Sequence, residues 1–193
     1  FFDLNLAITQ AFELMEQRLK LNGAHPQLQL ADGLPPVRGD QNSLEQVVIN
    51  LIANSLDAYE EMEVELKQKR GSCLLRVESK TESSATQTFS VLRFEDNGPG
   101  IPEEIRRQIF DPFFTTKKAG HGTGLGLSVC MNIIRDHRGT MKVTDTGQGT
   151  MFEIRLPAGS FKKSSKSKSQ VTTPAGSTPT VETRITRDAN NGQ

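Results

Sequence analysis

Cysteine is scarce in this sequence: Cys73 and Cys130 are the only two among 193 residues. Two thiols make neither a disulfide framework nor a zinc site, and they fit a reducing compartment. No apolar run approaches the roughly 20 residues of a membrane span, and no signal peptide opens the chain. An excess of one charge is also missing, since Lys+Arg and Asp+Glu are both 23. That balance excludes a global basic field for nucleic acid, and equally an acidic one. Aromatic residues amount to 6%, while 35% of the chain is hydrophobic, which suits one domain of ordinary size with an appendage. These absences predict a soluble, cytoplasmic domain, one that suits a piece of a longer protein.

The balanced charge is a sum of unlike parts. Residues 158–193 hold Lys162, Lys163, Lys166, Lys168, Arg184 and Arg187 against Glu182 and Asp188. The preceding body therefore carries an acidic excess of about four. From Ala158 onward the chain is rich in Ser, Thr, Lys, Gly and Pro without apolar periodicity. Such a stretch cannot bury enough surface to offset its ordering entropy. The expectation is a folded domain over 1–157 and a disordered tail or linker over 158–193.

Within 1–157 helical and strand patterns mix. Asp3 can cap a helix running to about Leu21, and a second helix begins between Gln41 and Ser43 and runs through Asp57. Strand patterns cover Gln27–Ala31, Cys73–Ser79, Phe89–Glu95, Met141–Thr146 and Met151–Leu156. Pro102 opens a short helix to Phe110, and a glycine-rich stretch leads into a helix from Leu125 to His137. Helices grouped with hairpins, without regular βαβ repeats, predict an α+β fold: a two-layer sandwich in which helices cover one face of a mixed sheet.

The second helix is unusual. At about 100° per residue, Gln46, Asp57, Asn50 and Asn54 fall in a sector of about 80°. Around the rest lie Val47, Val48, Ile49, Leu51, Ile52, Ala53 and Leu56, with Ser55 the only polar residue among them. An ordinary surface helix has a wide polar face. Buried amides need partners, so either Asn50 and Asn54 cap neighbouring loops inside a core, or they line a ligand pocket. In the second case the Asn54 side-chain oxygen suits Mg²⁺, which prefers oxygen ligands and phosphate oxygens.

Two glycine motifs follow. Glu95-Asp-Asn-Gly-Pro-Gly-Ile101 leaves a strand directly and is either plain turn chemistry or a close approach of backbone to a flat ligand. In Gly120-His-Gly-Thr-Gly-Leu-Gly-Leu127, four alternating glycines run into an apolar helix. Their N–H groups and the helix N-terminus make a phosphate cradle. The spacing is not the dinucleotide fingerprint, and the Gly-Lys-Ser/Thr of a P-loop is missing. Between them lies Phe110-Asp-Pro-Phe-Phe-Thr-Thr-Lys117, whose three phenylalanines can anchor a loop while Thr115, Thr116 and Lys117 face phosphate.

In this order the motifs resemble the ATP-binding catalytic domain of sensor histidine kinases, within the GHKL ATPase superfamily. The asparagine helix is similar to the N box, Asp96–Gly100 to the G1 box, Phe110–Lys117 to the F box and Gly120–Leu127 to the G2 box. Phe-Asp-Pro-Phe-Phe-Thr-Thr-Lys resembles in particular the nitrogen-regulation and dicarboxylate-sensor branch. The resemblance covers about residues 3–157 and implies the Bergerat fold, ATP and Mg²⁺. It implies that Asn54 is the Mg²⁺ ligand, that Asp96 reads the adenine amino group, and that Gly98 and Gly100 form the adenine-side turn. Gly122, Gly124 and Gly126 then match lid and phosphate contacts, and Asn50 the other N-box asparagine. Asp57, Ile101, Thr115, Thr116, Lys117, Thr123 and Leu125 complete the implied nucleotide contacts. Asp57 stands where many members carry a basic residue.

The phosphoacceptor signature of such kinases places a histidine before an acidic residue on a helical hairpin. His25, His121 and His137 do not fit it. The resemblance therefore implies the ATP-holding half of a kinase. Its partners would be a histidine-bearing dimerisation domain of the same protein and the receiver domain of a response regulator. The parent would be a homodimer, and an inner-membrane anchor is compatible with it. Conformational ATPases such as gyrase, the mismatch-repair clamp and the heat-shock chaperone share these boxes, but carry a glutamate as general base four residues before the Mg²⁺ asparagine. Here that position is Asn50, and an amide cannot take a proton from water. Glu45 sits about 100° off the stripe. A pseudo-kinase that binds nucleotide and signals by contact is the third reading.

Overall fold

The computed structural model describes residues 1–117 and 122–159. The chain divides into two units, Phe1–Phe161 and Lys162–Gln193. The second lies outside the described residues, as does most of the expected tail.

The first unit begins with α1 (Leu4–Leu14), capped by Asp3, whose carboxylate accepts the Asn5 N–H at 2.8 Å. The single helix expected to Leu21 is divided at Met15, and α2 covers Glu16–Leu21. The two helices meet at Met15, whose N–H reaches Ala11 O and whose carbonyl accepts from Leu19 N–H. Strand β1 (His25–Leu30) starts two residues earlier than its alternation suggests. His25 N–H is already drawn to Cys73 O at 2.7 Å, and Pro26 is tolerated because the strand lies at a sheet edge.

Helix α3 (Gln41–Glu60) is capped by Asp40, which accepts from Ser43 N–H at 2.8 Å. Then comes α4 (Val64–Arg70), which the sequence reading did not expect. None of its residues is buried, so Val-Glu-Leu-Lys-Gln-Lys-Arg carries no apolar period to read. Strands β2 (Leu74–Ser83) and β3 (Thr88–Asp96) form a longer hairpin than expected. The short helix expected from Pro102 to Phe110 is instead two 3₁₀ turns, Glu103–Ile105 and Gln108–Phe110. Helix α5 (Gly126–Asp136) and the hairpin β4 (Thr140–Asp145) and β5 (Thr150–Pro157) close the unit. Pairing continues past Pro157, since Ala158 N–H reaches Thr88 O at 2.8 Å.

The five strands form one mixed sheet in the order β1-β2-β3-β5-β4, with β1 and β2 parallel and the other neighbours antiparallel. Register fixes which side chains share a face. Val77, Phe94 and Phe152 lie abreast across β2, β3 and β5, and Leu92 and Ile154 form the next rank. All five are buried beneath α3, which packs between α1 and α5. The opposite face carries the ion pairs Arg76–Glu95, Arg93–Glu153 and Arg155–Glu82, as expected where one side of an antiparallel sheet meets water. The fold is α+β, with helices on one side of the sheet.

One consequence places the site. Successive residues alternate faces along a strand, so Asp96, two residues beyond the buried Phe94, points to the helix side and not to water.

Candidate functional site

A cavity of about 840 Å³ opens between α3, α4, the 97–105 loop and the glycine-rich entry to α5. Asp96 sits on its wall with only 8% of its surface exposed. Its Oδ2 accepts from Ser55 Oγ at 2.9 Å, and its Oδ1 accepts from Gly98 N–H at 2.9 Å and Thr150 N–H at 3.2 Å. Burial pushes the carboxyl above its ordinary value of 3.8, with the three donors pulling the other way. Three donors fix the orientation of the carboxylate, and a buried acceptor beside an apolar wall suits a flat ligand's amine. Met62, Leu66, Ile101, Ile105 and Phe152 supply that wall.

Helix α3 brings its polar stripe to the same cavity. Asn50, Asn54 and Asp57 all line it. The Asn50 amide is engaged: it donates to Gly126 O at 3.4 Å and to Cys130 Sγ at 3.5 Å, and accepts from Gln46 at 3.0 Å. Asn50 thus ties α3 to α5 from a position on the cavity wall. Asn54 makes no side-chain hydrogen bond among the described residues, and it faces Gly126, where a Cβ would lie 3.8 Å from its Nδ2. Asp57 is an ion-pair hub. Lys117 Nζ is 2.6 Å from its Oδ2, and Arg18 pairs with its Oδ1.

The glycine-rich side is built by contact between two loops. Gly100, Thr115, Thr116, Lys117, Gly122, Thr123, Gly124 and Gly126 are all on the cavity wall. Phe113 N–H donates to Gly124 O at 2.9 Å. Gly124 has φ +66°, and a Cβ there would overlap the Phe113 backbone, so glycine is required at this crossing. Helix α5 begins beside the cavity with no side-chain cap, which leaves N–H groups of its first turn for an anion. Two expected contacts stand off the wall. Gly98 acts through its N–H on Asp96, and Leu125 is the residue before α5, with its N–H held by Thr123 Oγ1 at 3.3 Å. Residues 118–121, which include Gly120 and His121, lie outside the described residues.

Four contributors escaped the sequence reading. Ser55, visible only as the lone polar residue on an apolar circumference, is the donor to Asp96. Thr150 and Gly149 come from the far end of the chain, and a Cβ on Gly149 would overlap Asp96 O. Leu66 arrives on the unexpected α4. Among the described residues no three His, Cys, Asp or Glu side chains converge on a metal site, and no helix is long and apolar enough to cross a membrane. His137 is pinned between backbone groups, with Nε2 accepting from Asp40 N–H at 3.0 Å and Nδ1 2.7 Å from Ile133 O.

The chain is similar to known proteins in sequence and fold. The family described as histidine kinase-, DNA gyrase B- and HSP90-like ATPase matches residues 39–160. The two-component sensor PprA of Pseudomonas aeruginosa is 35% identical over 156 residues, 81% of this chain and 16% of its own length. Sporulation kinase C of Bacillus subtilis is 36% identical over 122 residues, 63% of this chain and 25% of its own. The chain thus spans a quarter or less of these relatives. A nucleotide-free catalytic domain of histidine kinase ThkA superposes with a TM-score of 0.65 at 31% identity, covering 81% of this chain and 95% of that one. ThkA in complex with the response regulator protein TrrA matches at 0.62 and 28%, covering 82% and 41%. With a buried aspartate, an asparagine helix and a glycine-lined helix start meeting in one cavity, and with this match, the chain belongs to the histidine kinase-, DNA gyrase B- and HSP90-like ATPase family.

Proposed function

We propose that the chain is the ATP-binding catalytic domain of a two-component sensor histidine kinase. It would hold ATP while a histidine on a separate dimerisation domain takes the γ-phosphate, which a response regulator's receiver domain then accepts. The observation that carries the reading is Asn50. The position of a hydrolytic general base holds an amide already bonded to Gly126 and Cys130, so the site binds nucleotide without a group to activate water.

The residues present fit the nucleotide. Asp96 offers a buried, oriented acceptor to the adenine amine, with Gly98 and Gly100 shaping the turn beside it and Ile101 on the apolar wall. Thr115, Thr116, Lys117, Gly122, Thr123, Gly124 and the start of α5 at Gly126 supply donors and positive potential for the phosphates. Asn54 would hold Mg²⁺ through its side-chain oxygen, the remaining ligands being phosphate oxygens and water. Magnesium when bound adds positive charge at the phosphate oxygens. This chain's part in the transfer is positioning and charge neutralisation. The partner's imidazole nitrogen forms a bond to the γ-phosphorus, the bond from that phosphorus to the β–γ bridging oxygen breaks, and ADP leaves with the electron pair.

The Phe110–Lys117 stretch supports the nitrogen-regulation and dicarboxylate-sensor branch, and a homodimeric, membrane-anchored parent accords with such kinases. The test is phosphoryl transfer. Incubated with ATP and a cognate histidine-bearing helical hairpin, the chain should yield an acid-labile phosphohistidine on the hairpin and little free phosphate. Brisk ATP turnover with no phosphohistidine would instead identify a conformational ATPase.

A further inference from the structure

We infer that Arg18 and Asp57 set how strongly the site favours a nucleotide by its number of phosphates, through their hold on Lys117. The inference rests on the reading of the cavity as an ATP site. It goes beyond that reading because Arg18, on α2, belongs to none of the four motifs and is not on the cavity wall.

One carboxylate serves two cations. Oδ2 of Asp57 holds Lys117 Nζ at 2.6 Å, and Oδ1 pairs with Arg18 Nη2. Lys117 and Asp57 are mostly covered, with side chains 20% and 27% exposed, whereas Arg18 lies further out at 44%. Asp57 and Lys117 both line the cavity. A polyphosphate entering it competes with Asp57 for the Lys117 ammonium, which is a compact charge on a flexible stem and turns readily to a new acceptor. Once Lys117 turns, Asp57 would stand as a bare carboxylate beside a polyanion, and like charges at that range repel. Arg18 prevents this. It stays on the outer oxygen and neutralises Asp57 after Lys117 has left.

Opposite effects follow from the two residues. Without the Asp57 charge, Lys117 is released and a repulsive group is removed, so polyphosphates bind more tightly. Without Arg18, Asp57 grips Lys117 alone and is left bare when Lys117 turns, so polyphosphates bind less tightly. Adenosine, which has no phosphate, is indifferent to Arg18.

The experiment is calorimetric titration of the full chain with adenosine, ADP and ATP in the presence of Mg²⁺, for wild type, D57N, D57E, R18Q and K117M. D57N should tighten ATP by about two- to fivefold and R18Q should weaken it by a similar factor, the range expected of partly exposed ion pairs. Both effects should grow from adenosine to ADP to ATP. D57E should stay near wild type, and R18Q should leave adenosine binding unchanged. In the K117M background both effects should fall to half or less. D57N that weakens ATP or leaves it unchanged would overturn the inference, since Asp57 would then be a brace. Effects that persist at full size without Lys117 would also overturn it, because a general field would be carrying them. If wild type binds ATP no better than adenosine, the ATP reading itself fails, and that result is distinct from the others.

Discussion

Phe113 donates its N–H to Gly124 O at 2.9 Å, and the two residues pack backbone against backbone so closely that Gly124 has no room for a Cβ. This contact joins the phenylalanine loop to the glycine loop that enters α5. Phe113 itself has φ +69° and is 74% exposed, a strained position for a large non-glycine residue. Strain of this kind is kept where the surrounding geometry over-determines it. Here that geometry is the crossing of the two loops.

Gly124→Ala should therefore separate the loops. Strain and overlap at the crossing should lower ATP affinity by about tenfold. The core beneath is untouched, so the melting temperature should stay within a few degrees. Calorimetric titration and thermal melting of the same sample check both halves. A variant that binds ATP as wild type does would show that the crossing plays no part in nucleotide binding.

Adenine recognition should depend on Asp96. In Asp96→Asn, one oxygen can still accept from Gly98 and Thr150, while the amide nitrogen takes the place of the acceptor that faces Ser55 and the cavity. A donor then meets the adenine amine. ATP affinity should fall by about 1–3 kcal/mol, the scale of an unpaired buried polar group. Unchanged affinity on titration would remove Asp96 from the site.

The same variant has a pH signature. Burial raises the Asp96 carboxyl above 3.8 in the folded state, so the folded protein holds that proton more tightly than the unfolded chain. The resulting stability is fully present below the unfolded value and is lost as pH rises through the folded one. Wild type should therefore lose stability relative to Asp96→Asn as pH rises from about 4 towards neutrality. Asp40, held low chiefly by its hydrogen bond with Ser43, and Glu82, held low chiefly by Lys80, are common to both proteins and cancel in the difference. Parallel melts across that range check it, and a constant difference would refute the burial argument.

Asn54→Ala should abolish the Mg²⁺-dependent part of ATP affinity. Its side chain supports no other hydrogen bond among the described residues, so the fold should be unaffected. Titration with and without Mg²⁺, together with a melt, separates the two effects. Wild type should meanwhile hydrolyse ATP slowly, because the general-base assistance missing at Asn50 is typically worth ~10²–10⁴ in rate.

Much of this protein follows from local pattern. The α3 helix, with its narrow stripe of Asn50, Asn54 and Asp57, can be read from periodicity, because a helix that is apolar nearly all round must be buried. The glycine run before α5, the cap at Asp3, and the paired β2–β3 and β4–β5 strands are signals within a few residues of one another. The rest depends on which distant segments meet. The α4 helix buries nothing, so no pattern marks it, yet it carries Leu66 to the cavity. Asp96 draws its donors from Ser55 and Thr150, which are 41 and 54 residues away. Asp57 reads as an anomaly in a phosphate site until Arg18, 39 residues earlier, and Lys117, 60 later, are seen sharing its carboxylate. Periodicity and turn chemistry are properties of neighbours along the chain. Hydrogen bonds and ion pairs form between neighbours in space, and packing of the helices on the sheet decides which those are.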